Sequence, residues 1–305
     1  MDSSLRSYIF NATIDEGVMI RQGIIAGLIV MICWGVADFL QSVPIRRIGT
    51  PKTIFVRNIF TILLVSPIGA YLFFNNQLSI TLTNLTIIFV SSIIYILSYY
   101  MFMRGFEVGN VSLVSPISGS FSIITVILAL LFLRESLSMV KFSAVFLMIA
   151  GVFLTSTDIM KIRNITSQKG LKEALFAMIG FGLSFFILGF VSKQMNSLNI
   201  FIFASLSQAL FFIVLSVIKG GFITKGDVDM KLLSIFIIHA LIVNIGWFAY
   251  IFGTGKDLVS LVTPLSSLFP GITVFLALIF YKEKLVANQK LGIIGILIGV
   301  LLISM

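Results

Sequence analysis

The sequence predicts an all-α integral membrane protein of ten transmembrane helices, arranged as two inverted five-helix repeats. Composition is the first observation behind this. Hydrophobic residues make up 58% of the chain and charged residues 11%, where a soluble domain carries about 25% charged residues. Mean hydropathy is +1.12. The second observation is a set of ten apolar stretches, each near the length that spans a bilayer. The third is an internal repeat. The stretch 111–137 recurs without a gap at 259–285, with 16 of 27 residues identical, and Gly151 pairs with Gly299 at the same offset. Agreement over that length in one register marks two related halves.

Taken in order, the apolar segments cover 23–43, 53–74, 85–106, 111–133, 140–156, 174–191, 200–218, 232–253, 259–281 and 287–304. Turn chemistry separates them. Gly49-Thr50-Pro51 opens the second, with Thr50 expected as cap and Pro51 at the first helical position. Asn75-Asn76-Gln77 ends the second, and Lys219-Gly220-Gly221 ends the seventh. The polar connection 157–172 joins the halves, giving a first repeat at 20–157 and a second at 168–305. Five spans per half is an odd number, so the second half enters the membrane from the opposite side, as in many secondary transporters.

Charge and special residues exclude several classes. The net charge of +9 follows from Lys and Arg gathered in connections, as membrane topology requires, and calls for no nucleic acid. Cys33 is alone, so neither a disulfide framework nor a cysteine metal site is expected. Asp2, Arg6, Asp15 and Glu16 interrupt the first nineteen residues, which argues against a signal-peptide core there. Lys and Arg concentrate on the side of connections 1–2, 3–4, 5–6, 7–8 and 9–10, which places both termini outside.

Candidate site residues come from polar and aromatic groups inside the spans. Pro116 and Pro264 each remove an N–H and displace the carbonyl four residues back, at Ser112 and Ser260. A freed carbonyl in hydrocarbon needs protein, water or substrate as its partner. The result is either a kink satisfied by the serine hydroxyls or a lining for a cavity. Ser115, Ser118, Ser122 and Thr125 share one helical face, and Thr263, Ser266, Pro270 and Thr273 repeat it. Ser122 and Thr125 are read as close-packing residues, and Ser115, Ser118, Thr263 and Ser266 as cavity residues. Tyr99 and Trp247 occupy equivalent positions, and Trp34-Gly35 matches Phe181-Gly182 with a shift of one. Asn244 lies one turn before Trp247 and Phe248.

Asp38 and Arg57 are charges inside spans, at similar depth on either side of the first connection. A static ion pair is the first reading of them and a substrate or proton role the second. His239 has no second His, Cys or acid at ligand spacing, so it is read as a satisfied core residue. The repeated Arg134-Glu135 and Lys282-Glu283 at helix ends are read as structural anchors. Gly292, Gly295 and Gly299, and likewise Gly23 and Gly27, form small-residue packing faces.

Two halves of five helices, each opening on Trp-Gly or Phe-Gly, with a proline in the fourth helix and an acid before a final Gly-rich helix, resemble the drug/metabolite transporter superfamily. More narrowly the chain is similar to its ten-helix EamA-type members, from Gly23 to Met305. The resemblance implies ten helices around a central cavity, built mainly by helices 1, 3, 4, 6, 8 and 9, and the export or uptake of small metabolites. It also implies cytoplasmic termini, against the charge count. The chain departs from the small multidrug members, which carry a glutamate in mid first helix; here Cys33-Trp34-Gly35 stands there, and the nearest acid is Asp38.

The expected function is secondary active transport, as exporter or exchanger, of small metabolites such as amino acids or amphipathic compounds. The substrate-binding set is Trp34, Asp38, Tyr99, Ser112, Ser115, Pro116, Ser118, Asn244, Trp247, Ser260, Thr263, Pro264 and Ser266. No cofactor is expected. The expected partners are a small-molecule substrate and membrane lipid, with no nucleic acid, for a monomer or homodimer in the cell membrane. A passive channel or lipid scramblase is the alternative. An intramembrane enzyme lacks the paired acids or nucleophile and base it would need, and no Walker motif suggests ATP-driven work.

Overall fold

A computed structural model describes residues 3–108, 114, 117–156, 169–224, 226–281 and 287–303. Ser112, Ser115 and Pro116, most of the connection 157–172 and the segment Lys282–Glu283 lie outside the described residues. The described helices are α1 (Ser3–Ile48), α2 (Thr50–Phe74), α3 (Leu82–Val108), α4 (Ser122–Phe132), α5 (Met139–Ser156), α6 (Leu171–Ser192), α7 (Ser197–Ile218), α8 (Met230–Lys256), α9 (Val259–Ser266), α10 (Phe269–Tyr281) and α11 (Ala287–Ile303). α9 and α10 are two pieces of the ninth span, so the ten predicted spans are present. The stretches Gln22–Ile48, Thr50–Phe74, Leu82–Gly105, Leu171–Ser192, Ser197–Ile218 and Met230–Lys256 are each long and apolar enough to cross a bilayer. α5, α11 and the two broken spans are shorter.

Local chemistry sets the ends. The cap of α2 is Gly49 at φ 82°, one residue earlier than Thr50, and Pro51 sits in the first turn. Glycine takes that left-handed backbone without a Cβ clash, so it makes the reversal between α1 and α2 that Thr50 would resist. Asn75 closes α2 as expected. Asn196 accepts from Leu198 N at 2.9 Å and Asp229 from Leu232 N at 2.9 Å, capping α7 and α8.

The halves interlock in a reciprocal pattern. α1 packs on α8 and α10, and its counterpart α6 packs on α3 and α4; α2 pairs with α7 and α5 with α11. Glycines show the two-fold relation at the level of atoms. A Cβ on Gly35 would lie 2.5 Å from Ile272 Cβ and 2.6 Å from Phe269 O. A Cβ on Gly182 would lie 2.5 Å from Ile124 Cβ and 2.8 Å from Phe121 O, the same atoms at an offset of 148. Hydroxyls repeat the relation: Thr273 Oγ1 donates to Gly35 O at 3.1 Å, and Thr125 Oγ1 to Gly182 O at 2.9 Å. Gly151 packs on Gly292 and Ile296, while Gly299 packs on Ala144 and Met148. The small-residue face of α11 is thus consumed against α5 inside the chain.

The fourth span of each half breaks in the middle. The ninth span turns at Ser267–Leu268, the fourth at Ser120–Phe121. Pro270, lacking an N–H, stands just after the first of these breaks. The breaks meet: Ser267 Oγ donates to Pro264 O at 2.8 Å and shares a hydrogen bond of 3.2 Å with Ser122 Oγ.

At one end of the bundle, two ion pairs tie the α1–α2 turn to the α7–α8 connection. Arg47 Nη1 lies 2.8 Å from Asp229 Oδ2 and Lys52 Nζ 2.8 Å from Asp227 Oδ2. Asp227 also accepts from Thr224 N and Oγ1. The hydrogen bond from Lys52, then those from Thr224, hold the Asp227 carboxyl at about 2. Its folded value lies below the unfolded one of about 3.9, so its contribution is complete above about pH 4 and is lost as pH falls through about 2. Melting curves of wild type and Asp227→Asn are therefore expected to differ at neutral pH and to converge on acidification. A gap that does not narrow would show that the contact is not held by charge.

Candidate functional site: a one-ended central cavity

A cavity of about 630 Å³ lies between the halves. Its wall on α1 runs from Trp34, buried at mid-span, through Asp38 and Gln41 to Arg46, exposed at the helix end. The cavity therefore reaches the surface at the end that carries the α1–α2 turn. Its inner end is aromatic. The Trp34 ring lies 5.2 Å from Trp247, 5.5 Å from Phe185 and 6.0 Å from Phe269. Phe185 stacks on Trp247 at 5.6 Å, and Tyr95 meets Trp247 edge-on at 5.3 Å and Phe181 at 5.4 Å. Such pairs contribute about 0.5–1.5 kcal/mol each beyond their buried area.

The polar part of the lining comes from α1, α2, α7 and α8. Asp38 and Arg57 are not in direct contact. Gln41 bridges them: its Nε2 donates to Asp38 Oδ1 at 3.0 Å, and its Oε1 accepts from Arg57 Nη1 at 3.3 Å. This corrects the expected direct ion pair. One helical turn separates Asp38 from Gln41, so the amide reaches both charges and holds them apart. The Arg57 guanidinium sits over Tyr99 at 5.6 Å and Phe212 at 5.4 Å, which suits a delocalised cation. Asn58 and Asn244 donate Nδ2 to the carbonyls of Ile54 and Ala240, at 2.8 and 2.7 Å. Both residues line the cavity. His239 lines it too, and its buried Nδ1 has no hydrogen-bond partner. It is thus not the satisfied core residue expected from its spacing.

Of the proposed binding set, Trp34, Asp38, Tyr99, Ser118, Asn244 and Trp247 line this one cavity. Ser260, Thr263, Pro264 and Ser266 do not line it; all four are buried in α9. The reason is physical. α9 enters from the end away from the mouth, so its two turns lie beneath the aromatic floor. Thr263 Oγ1 bonds Tyr250 OH at 2.9 Å, and Ser266 Oγ donates to Val262 O at 2.8 Å. Ser118 lines the cavity while its repeat equivalent Ser266 is sealed, because the two halves stand in different environments in a one-ended structure.

Sequence reasoning missed Gln41, Tyr95, Phe185 and Gln208 on the cavity wall. Tyr95 carried a readable signal, since it stands one turn before Tyr99 on the same helix face. Gln41 carried one as well, lying at i+3 from the intramembrane Asp38.

The end beneath the floor is shut by polar contacts. Ser192 Oγ donates to Thr254 Oγ1 at 3.0 Å, Tyr250 OH donates to Phe185 O at 3.2 Å, and Lys193 Nζ donates to Asp257 O. Glu135 accepts from Val259 N at 2.8 Å and Ser260 N at 2.9 Å, the first two amides of α9. Burial pushes the Asp257 carboxyl up and the Lys193 ammonium down.

Comparison with known proteins agrees with this architecture. A protein of known crystal structure superposes with a TM-score of 0.73 over 92% of this chain and 95% of its own, at 12% identity, which speaks to the fold alone. An uncharacterized protein of Methanocaldococcus jannaschii is 43% identical over 76 residues, 25% of this chain and 56% of that protein. The chain thus matches little more than half the length of that curated relative. The model of the EamA-like transporter family matches twice, over residues 21–157 and 168–305. With both halves matched and the two-fold relation present in the contacts, the chain belongs to the EamA-like transporter family of the drug/metabolite transporter superfamily, and is a multi-span membrane protein.

Proposed function

We propose that the protein is a secondary active transporter of small amphipathic zwitterions, amino acids among them, working by alternating access as an exporter or exchanger in the cell membrane. The observation that carries this reading is the bridged trio Asp38–Gln41–Arg57 facing an aromatic wall in one cavity. The arrangement offers a carboxylate the guanidinium of Arg57, an ammonium the carboxylate of Asp38, and an apolar side chain the rings of Trp34, Tyr95 and Trp247. Gln41 engages one oxygen of Asp38 and one nitrogen of Arg57, so the remaining donors and acceptor serve a ligand. A volume of about 630 Å³ lies within the range of about 300–1,000 Å³ that small-molecule sites occupy. The partners in this reading are a small-molecule substrate and membrane lipid. The protein acts as a monomer or homodimer, with no nucleic acid and no cofactor, and as a carrier rather than an enzyme.

The test is counterflow in proteoliposomes. Unlabelled amino acid on the far side is expected to accelerate entry of labelled amino acid severalfold. Entry that is indifferent to the trans side would mark a passive channel, and lipid flip-flop without amino acid movement would mark a scramblase.

A further inference from the structure

The closed end of the cavity holds a carboxylate that the transport site does not use. Glu135 lies in the connection between α4 and α5, in the first half of the chain, yet both its oxygens bond the second half. Oε1 accepts from Val259 N at 2.8 Å and Oε2 from Ser260 N at 2.9 Å. These N–H groups open α9 and have no acceptor within their own helix. The positive end of the helix dipole adds to the attraction for an anion. The backbone aims the contact, since Arg134, a non-glycine residue, stands at φ 53°, in the left-handed region, directly before Glu135.

At the closed end this carboxylate joins the halves through hydrogen bonds, and it also lies near the Lys193 ammonium of the second half. Lys193 Nζ is engaged by Asp257 O, a bond within the second half. Ser192 and Thr254 also bond within the second half. Asp257 Oδ1 accepts from Leu258 N at 2.6 Å, and its buried Oδ2 has no partner. The charged groups that act on Asp257 are Lys141 on α5, Lys193 after α6 and Glu135 itself. Beneath Glu135 the seal is closely packed: Val259, Ser260 and Val262 have 0% exposure.

We propose that Glu135 is the positioning residue that keeps this end of the cavity shut: its ionised carboxylate pins the first turn of α9 to the first half, and α9 is released when the carboxylate lets go. The inference rests on the alternating-access reading, because only a carrier needs this end to open in turn. A neutral amide at the position keeps the shape and one acceptor oxygen but loses the charge and the second acceptor.

Ser260 offers a probe. Its side chain is fully buried and its Oγ has no hydrogen-bond partner, so Ser260→Cys costs no bond and is silent while the end is shut. In a Cys33→Ala background in nanodiscs, reaction of the Ser260→Cys thiol with a charged maleimide is expected to be slow. Adding Glu135→Gln is expected to speed it at least tenfold, with Glu135→Asp in between. Ala204→Cys, at a position buried to 2% on α7 away from the seal, is expected to keep its rate in all three. In proteoliposomes Glu135→Gln should change amino acid turnover while leaving its binding affinity near that of wild type. Equal labelling rates of the Ser260→Cys thiol with Glu and with Gln at position 135 would overturn the proposal. So would acceleration of Ala204→Cys to the same degree, which would mean general loosening. Failure of counterflow in wild type would instead strike the transport reading, and the labelling result would still stand or fall by itself.

Discussion

Arg57→Gln is expected to lower amino acid transport at least tenfold while the protein still folds. The Arg57 guanidinium lies between Tyr99 and Phe212 and, among the described residues, makes one hydrogen bond, to Gln41. The other N–H groups of the guanidinium remain for a ligand. Removing one member of a desolvated, hydrogen-bonded charge pair costs about 2–5 kcal/mol, and each ~1.4 kcal/mol is a factor of ten in affinity. Asp38→Asn should act in the same direction. The double variant separates site from scaffold. Each single change leaves an uncompensated charge, so Asp38→Asn with Arg57→Gln is expected to regain part of the lost melting temperature. It is not expected to regain transport, because both ligand contacts are gone. Transport restored in the double variant would make the trio a structural bridge only.

The second large effect belongs to the helix crossings. Gly35→Ala and Gly182→Ala are each expected to destabilise the protein by about 1–3 kcal/mol, the usual cost of overpacking. In both cases the new Cβ meets an isoleucine Cβ at 2.5 Å and a backbone carbonyl at 2.6 or 2.8 Å. Neither neighbour is a flexible side-chain end, so relief requires a helix to move. Gly119→Ala is the control, since nothing stands within 4 Å of a Cβ there. Melting curves followed by size-exclusion should show similar losses at positions 35 and 182 and little change at 119. A loss at one position alone would contradict the equivalence of the two crossings.

The two-fold relation was legible because it is written as identical residues in register. The offset pairing Val111 with Val259 and Gly151 with Gly299 also pairs the contacts at Phe121 and Phe269 and at Ile124 and Ile272. Trp34, Tyr99 and Trp247 were readable as large side chains with a polar atom set inside apolar spans. What a repeat does not encode is which end of the cavity is open. Treating both halves alike put Ser260, Thr263, Pro264 and Ser266 on the cavity wall, whereas α9 lies under the closed floor. The Gln41 bridge was hidden for another reason. Asp38 and Arg57 sit at matching depth, which suggests contact, but depth along two helices says nothing of the lateral gap that an amide fills. His239 was misjudged on ligand spacing alone, a criterion for metals that does not speak to an orphan nitrogen beside a polar cavity.

In the proposed carrier Arg57 receives the carboxylate of an amphipathic zwitterion in this cavity. A binding cycle between ligand and protein tests it most directly. The affinities of an apolar amino acid and of its carboxamide, which lacks the negative charge, are measured by calorimetry on wild type and on Arg57→Gln. Wild type is expected to prefer the amino acid at least tenfold, and the preference is expected to fall to near unity in Arg57→Gln. An equal preference in both proteins, or no binding of either ligand to wild type, would contradict it.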